Sequence, residues 1–149
     1  GTPGKTQLIN HFDIDETWFL VDLPGYGFAK APKPERQKWA RFTWEYLENR
    51  ANLMSVFVLI DGRIDPQRVD LEFIDGLGGR GIPFVIAFTK MEKVKAAARE
   101  AHFEAFSREM LMNWDAMPQY FYTSAPAKQG KEEVLEYIGK TNALFKVGE

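Results

Sequence analysis

The chain has 149 residues, a length that suits one domain, and its 45% hydrophobic and 27% charged residues are typical of a globular protein. It contains no cysteine, which excludes a disulfide framework or a thiolate metal site within it. The net charge of -2 gives no general reason to expect nucleic-acid binding. The longest apolar stretch, residues 53–60, is far shorter than the roughly 20 residues that span a bilayer. We therefore expect a cytoplasmic protein without membrane association.

The first predicted elements form a hairpin. Residues 8–12 and 18–21 are mostly apolar, and the mostly polar residues 13–16 separate them. A connection that short can only join antiparallel strands. We therefore expect one antiparallel edge strand at the start of the chain.

Further along, short apolar segments alternate with longer segments of helical periodicity. The predicted strands are residues 54–60, 83–88 and 119–122, and the predicted helices are residues 35–49, 67–77, 96–114 and 131–145. Strands that alternate with helices need crossover connections, which produce a mostly parallel sheet covered on both faces. The predicted fold class is therefore α/β, with three layers and a mostly parallel sheet.

Three loops that follow predicted strands carry distinctive residues. In open α/β sheets, ligands bind where loops leave the carboxyl ends of the strands. The loop residues are Asp22, Leu23, Pro24 and Gly25, then Thr89, Lys90, Met91 and Glu92, and last Thr123, Ser124 and Ala125. Each loop alone is a weak signal, since an aspartate before Pro-Gly is more often only a turn. Their order and their shared position at strand ends make the set specific.

The set resembles the guanine-nucleotide-binding motifs of translation-factor-like GTPases. The resemblance implies that Asp22 reaches Mg²⁺ through water and that the glycine amide of Gly25 follows the γ-phosphate. It implies that Lys90 packs over the base while the acidic residue at position 92 pairs with guanine N–H groups. It also implies that the Ser124-Ala125 pair offers a backbone N–H to the guanine carbonyl. Such a site rejects adenine, because the wrong base leaves buried polar groups unpaired.

Two stretches narrow the resemblance to the EngB (YihA/YsxC) family of ribosome-assembly GTP-binding proteins. Residues 2–7, Thr-Pro-Gly-Lys-Thr-Gln, look like its switch I, and residues 22–27, Asp-Leu-Pro-Gly-Tyr-Gly, look like its switch II. The match covers essentially the whole chain. It implies a P-loop GTPase that binds GTP or GDP with Mg²⁺ and acts in large-subunit assembly, cell division and septation. The switch I residues implied to close over the nucleotide are Gly4, Lys5, Thr6, Gln7 and Leu8, with Thr6 and Asp22 as the magnesium ligands.

The chain departs from the family pattern at two places. The fourth motif ends in Glu92 instead of aspartate, and the added methylene moves the carboxylate outward by about 1.5 Å. We therefore expect weaker or less selective guanine binding. The phosphate-binding loop is also missing, because residues 1–6 only imitate it, with two residues between the glycines instead of four. We expect residues 1–149 to be a partial G domain that lacks its first strand, phosphate-binding loop and first helix.

No catalytic residue can be assigned. Tyr26 stands where Ras-like enzymes have the glutamine that orients the attacking water. The resemblance implies slow intrinsic hydrolysis, aided by a partner or by a monovalent cation such as K⁺.

The partner prediction depends on a basic cluster after switch II. Lys30, Lys33 and Arg36 form either a solvated helix face or, as the resemblance implies, a contact of a monomeric protein with ribosomal RNA of the large subunit. An alternative function is a ribosome- or protein-binding adaptor whose nucleotide site has decayed, which Glu92 and the missing loop favour. An adenine-nucleotide enzyme is disfavoured by the Thr-Lys loop. His11 and His102 have no partner at ligand spacing.

Overall fold

The computed structural model describes residues 9–25 and 32–145, which fall into two compact units, Gly1–Ala51 and Asn52–Glu149. In the first unit, β1 (Asn10–Ile14) and β2 (Trp18–Asp22) form the predicted antiparallel hairpin. Asp15 and Glu16 turn the chain with φ of 51° and 58°, the left-handed conformation that tight hairpin turns use. The carboxylate of Asp13 accepts the Glu16 N–H at 2.9 Å, which fixes the turn.

Helix α1 (Lys33–Asn49) completes the first unit. Proline in its first turn is compatible with a helix start, because the first N–H groups have no intrahelical partner. Thr43 and Leu47 are its buried residues. His11 Nε2 and the Tyr46 hydroxyl lie 2.8 Å apart, so a hydrogen bond joins the hairpin to this helix.

The second unit contains a parallel sheet with the strand order β3-β4-β5. Its strands are β3 (Val56–Asp61), β4 (Phe84–Thr89) and β5 (Tyr120–Tyr122), and its helices are α2 (Arg68–Gly79), α3 (Ala96–Met110) and α4 (Lys131–Asn142). The central strand β4 is buried over four consecutive residues, as the continuous apolar sequence predicts. Its Ile86 packs in a core that includes Ile74 and Leu77 of α2 and Met110 of α3, all of them 0–1% exposed.

Strand β3 differs from the prediction of burial on both faces. Val56, Val58 and Ile60 are buried, but Leu59 on the opposite face is 64% exposed. Phe57 lies on the same face as Leu59 but is partly covered. Tyr137 of α4 packs edge-on against it, with ring centroids 5.6 Å apart. No described residue covers Leu59 to the same extent, so one face of β3 stays half open.

The α/β class, the hairpin and the parallel sheet are confirmed, and the predicted elements all exist with ends shifted by a few residues. The two ladders form separate sheets of two and three strands among the described residues, whereas the sequence predicted one sheet. None of the described helices is long and apolar enough to cross a membrane.

Candidate functional site

The loops after β3, β4 and β5 meet at one edge of the parallel sheet. Asp61 is opposite Thr89 and Phe88 is opposite Tyr122, so the three strands end side by side. The Gly62 N–H donates to Thr89 O at 2.9 Å, and the Thr123 N–H donates to Phe88 O at 2.8 Å. The Met91 N–H donates to Thr123 O at 3.1 Å. Backbone hydrogen bonds therefore hold the second and third predicted site loops against each other.

The loop after β4 presents two charged side chains around one buried anchor. Lys90 has left-handed backbone angles (φ 59°, ψ 33°), and a 3₁₀ turn, Met91–Lys93, follows it. Met91 is only 2% exposed, while the Lys90 side chain is 53% exposed and Glu92 is exposed. Thr89 ends β4 and is half-buried. The structure thus assigns an anchoring position to the Met91 side chain and leaves Lys90 and Glu92 accessible to a ligand.

Glu92 is tied to the loop after β5. The Ser124 hydroxyl is the main cause that lowers the pKa of the Glu92 carboxyl below its ordinary value, because it favours the charged form. The backbone N–H of Glu92 and the positive charges of Lys93 and Arg63 act in the same direction. Glu92 is therefore held as an anion, a pure hydrogen-bond acceptor, at neutral pH.

The loop after β5 is a compact reversal around Ser124, which is 2% exposed. Ser124 and Gln129 exchange two backbone hydrogen bonds of 3.1 and 3.0 Å, and the Ser124 hydroxyl accepts the Ala127 N–H at 3.2 Å. Ala125 is exposed, and no described residue accepts its N–H. The half-buried Thr123 bonds back to Phe88 through both its amide and its hydroxyl. The loop thus offers one backbone donor, the Ala125 N–H, that no described residue accepts.

The predicted site residues of the first unit follow β2. Asp22 is exposed, Leu23 is half-buried, Pro24 is buried and Gly25 is exposed. No described residue hydrogen-bonds the Asp22 carboxylate. One carboxylate and one threonine hydroxyl are oxygen ligands, the type that Mg²⁺ takes together with phosphate oxygens and water, so Asp22 fits the predicted metal.

Part of the prediction lies outside the described residues. These positions are Gly4, Lys5, Thr6, Gln7 and Leu8 of the predicted switch I, and Tyr26 and Lys30 of the stretch after β2. Lys33 and Arg36 are described, and both are exposed in the first turn of α1.

Sequence reasoning missed two charged residues at the sheet edge. Asp61, the last residue of β3, and Arg63 are not among the predicted site residues. Arg63 pairs with Asp61 through a 2.7 Å ion pair, and Lys90 Nζ lies 3.6 Å from the same carboxylate. The Arg63 guanidinium is the main cause that holds the pKa of Asp61 far below its usual range. The available signal was the position of Asp61 at a strand end beside Thr89.

Arg99 was also missed. It lies in the first part of α3, and its Nη2 donates to Met91 O at 3.1 Å. Its Nε lies 3.4 Å from Val94 O. The two carbonyls flank Glu92 and Lys93, so Arg99 supports the turn that presents the acidic residue.

The known proteins that resemble this chain share one name. No family model matches the chain. A protein of Flavobacterium johnsoniae named "Probable GTP-binding protein EngB" is 48% identical over 143 residues, which cover 95% of this chain and 68% of that protein. A protein of Porphyromonas gingivalis with the same name is 49% identical over 140 residues, which cover 94% of this chain and 70% of that protein.

A solved structure supports the fold. The crystal structure of a probable GTP-binding protein engB superposes with a TM-score of 0.76 over 95% of this chain and 86% of that one. Its sequence identity is 20%, so this likeness concerns the fold. The sequence relatives, at close to half identity over about 70% of their length, carry the assignment. The chain therefore belongs to the EngB family.

Proposed function

We propose that the full-length protein binds GTP and GDP with Mg²⁺ and hydrolyses GTP as a switch in the assembly of the large ribosomal subunit. The observation that carries the nucleotide proposal is the joining of the Lys90–Glu92 turn to the Ser124-Ala125 loop. One loop supplies a fixed carboxylate and the other supplies a free backbone N–H at the same sheet edge. Membership of a family whose members are named GTP-binding proteins supports the same proposal.

Guanine is the base whose edge fits these groups. Its N1–H and N2–H₂ are donors for the Glu92 carboxylate, and its O6 is an acceptor for the Ala125 N–H. The apolar stem of Lys90 can cover the flat face of the ring while its ammonium stays solvated. Adenine has no N1–H donor and presents an amino group in place of O6, so two polar groups would lose their partners.

The phosphate end depends on the first unit and on switch I. Asp22 would hold Mg²⁺ through water, Thr6 would bind it through its hydroxyl, and the residues around Gly25 would follow the γ-phosphate. Bound Mg²⁺ neutralises phosphate charge during phosphoryl transfer. The chain supplies no assigned catalytic base, because Tyr26 cannot orient water as a glutamine amide does. Slow intrinsic hydrolysis is expected, with acceleration by the ribosomal partner or by K⁺.

The ribosomal proposal depends on the position of the basic cluster beside the second switch. Exposed Lys33 and Arg36 begin α1, directly after the stretch expected to respond to the γ-phosphate. Their contribution to binding RNA should fall steeply with salt, because binding releases counterions from the phosphates. The proposed role in cell division and septation would be indirect, because both processes would suffer if subunit assembly failed.

Nucleotide binding is tested by titrating the full-length protein with fluorescent GDP in Mg²⁺ and by competing with GDP and ADP. GDP should compete and ADP should not. Saturable GDP binding, abolished or strongly weakened by Lys90→Glu, supports the proposal. If no GDP binds at millimolar concentration, the nucleotide proposal is wrong and the adaptor alternative gains support.

The ribosomal contact is tested by co-sedimentation with large subunits over a range of salt concentrations. Lys33→Glu with Arg36→Glu should reduce co-sedimentation and flatten its salt dependence. Lys140→Glu is the matched control, because Lys140 is also exposed but lies on α4. Binding that is indifferent both to salt and to the Lys33/Arg36 reversal would contradict the RNA contact.

A further inference from the structure

We propose that Asp61 and Arg63 act as a positioning pair that fixes the side chain of Lys90 over the bound base and so sets nucleotide affinity. The inference rests on the proposed function, since it assigns a role within the same nucleotide site. It concerns two residues that do not belong to the base-contacting loops. Their role would be exerted through Lys90 and not through contact with the nucleotide.

The Asp61 carboxylate is held rigidly by Arg63. Arg63 Nε lies 3.0 Å from Oδ1 and Arg63 Nη2 lies 2.7 Å from Oδ2, which is the parallel two-bond geometry of a strong arginine–carboxylate pair. The Arg63 backbone N–H adds a third bond to Oδ1 at 3.0 Å. The Asp61 side chain is 21% exposed, so solvent screens this pair less than an ordinary surface pair. Both oxygens therefore have fixed positions.

The Lys90 side chain is restrained at both of its ends. Its backbone is held in the left-handed conformation between Thr89, which is in register with Asp61, and the buried Met91. Its Nζ lies 3.6 Å from Asp61 Oδ2, so the ammonium is attracted to a carboxylate that cannot rotate away. With the two ends fixed, the methylenes between them have few remaining rotamers. A flat base can then bind on the stem with a smaller loss of side-chain entropy.

Arg63 also links the two charged side chains of the turn. Its positive charge lowers the pKa of Glu92, and the negative charge of Glu92 raises the pKa of Arg63 in return. The charges alternate in sign along the series Lys90, Asp61, Arg63 and Glu92. Without Arg63, Asp61 would be free to rotate and to pair closely with Lys90, and Glu92 would lose a stabilising cation.

A purely structural role for the pair is the competing explanation. The Arg63 N–H bond to Asp61 also closes a turn after β3, so its loss could weaken the unit without touching nucleotide recognition. The two explanations differ in their dependence on Lys90. A positioning role needs the lysine, whereas a structural role does not.

The test is a coupling experiment on the full-length protein, with GDP affinity measured by competition up to millimolar GDP. Asp61→Asn should weaken GDP binding about tenfold in the parent, as expected for the loss of one well-placed charged contact. The same substitution should change affinity by less than about twofold in a Lys90→Met background, because residues that act as a unit are non-additive. Arg63→Gln should behave like Asp61→Asn, and Arg63→Lys should give an intermediate loss.

Arg68→Gln is the matched control. Arg68 also pairs with a carboxylate, that of Glu72, but both residues belong to the exposed surface of α2 and not to the loop after β3. It should leave GDP affinity unchanged. An equal loss from Asp61→Asn in both backgrounds, or no loss in the parent, overturns the inference while the proposed function stands. If the parent itself binds no GDP, the proposed function fails first. Should Asp61→Asn fail to fold, Arg63→Gln and Arg63→Lys in the two backgrounds give the same comparison.

Discussion

The Ser124 hydroxyl, in the loop after β5, favours the charged form of the Glu92 carboxylate, in the turn after β4, and lowers its pKa. Ser124 is buried, and its hydroxyl also accepts the Ala127 N–H. The same hydroxyl therefore stabilises the conformation of its own loop and influences the protonation of Glu92 in the neighbouring loop. Together with the backbone hydrogen bond from Met91 N–H to Thr123 O, this relationship couples the two loops. A change at Ser124 should therefore be measurable at Glu92.

Ser124→Ala should raise the pKa of Glu92 toward its ordinary value, because the hydrogen bond that favours the anion is lost. The sign follows from the direction of the shift. A depressed carboxyl pKa stabilises the fold above the unfolded pKa, about 4.3 for glutamate, and this stability is lost as the pH falls through the folded pKa. The substitution should therefore flatten the acid side of the stability profile. Carbon NMR of the Glu92 carboxyl across an acid titration measures the pKa directly.

Ser107→Ala is the control for that experiment. The Ser107 hydroxyl is buried and has no hydrogen-bond partner among the described residues. Its removal should leave the unfolding free energy unchanged or slightly higher. Ser124→Ala should lower it by about 1 kcal/mol through the lost bond to Ala127. A Glu92 pKa that is identical in Ser124→Ala and in the parent would show that the hydroxyl does not set this charge.

Glu92→Asp should tighten GDP binding by about three- to tenfold, a change of roughly 1 kcal/mol. The backbone N–H of Glu92 also favours the charged carboxylate, and the longer side chain places that carboxylate about 1.5 Å further out than an aspartate would. Aspartate is shorter by one methylene and suits two parallel bonds to guanine without displacement of the loop. Calorimetric titration of the full-length protein with GDP measures the difference. Equal or weaker GDP binding by Glu92→Asp would rule this out, and Glu92→Gln serves as the control that removes the charge.

The regular elements were predictable because periodicity and burial follow directly from the residues. The apolar sequence of β4 predicts a strand buried on both faces, and four of its residues are buried. Lys90 and Glu92 could be assigned to one sheet edge because loops after parallel strands converge there. The separate ladders of the hairpin and the parallel sheet were not predicted, since pairing depends on which strand edges actually meet.

The interactions among side chains were less predictable. The pairing of Arg63 with Asp61 joins residues two apart in a loop, where no periodic pattern marks it. The contact of Arg99 with Met91 O spans eight residues and depends on how α3 packs. The exposure of Leu59 within an apolar segment depends on which helix covers that face. The Arg63–Asp61 pair is local but has no periodic pattern, and the other two features depend on tertiary packing.

Arg99→Met should loosen the turn that presents Glu92. The side chain donates to the carbonyls of Met91 and Val94, two buried residues, and its loss removes this donor from both carbonyls. We expect a loss of about 1 kcal/mol in unfolding free energy. Amide exchange should become faster at Lys93 and Val94, whose N–H groups bond within the turn. Hydrogen exchange followed by NMR measures this site by site.

The control for Arg99 is Arg108→Met, because Arg108 is an exposed arginine in the last turn of the same helix. It removes the same charge and a similar surface area without touching the turn. Its exchange rates at Lys93 and Val94 should match those of the parent. Unchanged exchange in Arg99→Met as well would mean that the turn holds its conformation without the arginine.

Gly130→Ala should destabilise the second unit strongly and displace the Ser124 loop. Gly130 has a φ of 81°, and a Cβ there would overlap Tyr122 O. The backbone conformation alone costs about 1 kcal/mol for alanine, and the overlap with a strand carbonyl adds to it. Gly139→Ala is the control, since nothing lies within 4 Å of a Cβ at that position in α4. There alanine should stabilise the helix by about 0.5–1 kcal/mol.

The two causes at Gly130 can be separated with Gly130→Asn, because asparagine tolerates the left-handed conformation but still carries a Cβ. Urea unfolding should place Gly130→Asn close to Gly130→Ala, since the overlap with Tyr122 O dominates. The same overlap should push the loop away from Glu92, so both variants should also raise the pKa of that carboxyl toward its ordinary value. A Gly130→Asn variant as stable as the parent would show that only the backbone conformation requires glycine. The close approach to Tyr122 would then make no contribution to the unfolding free energy.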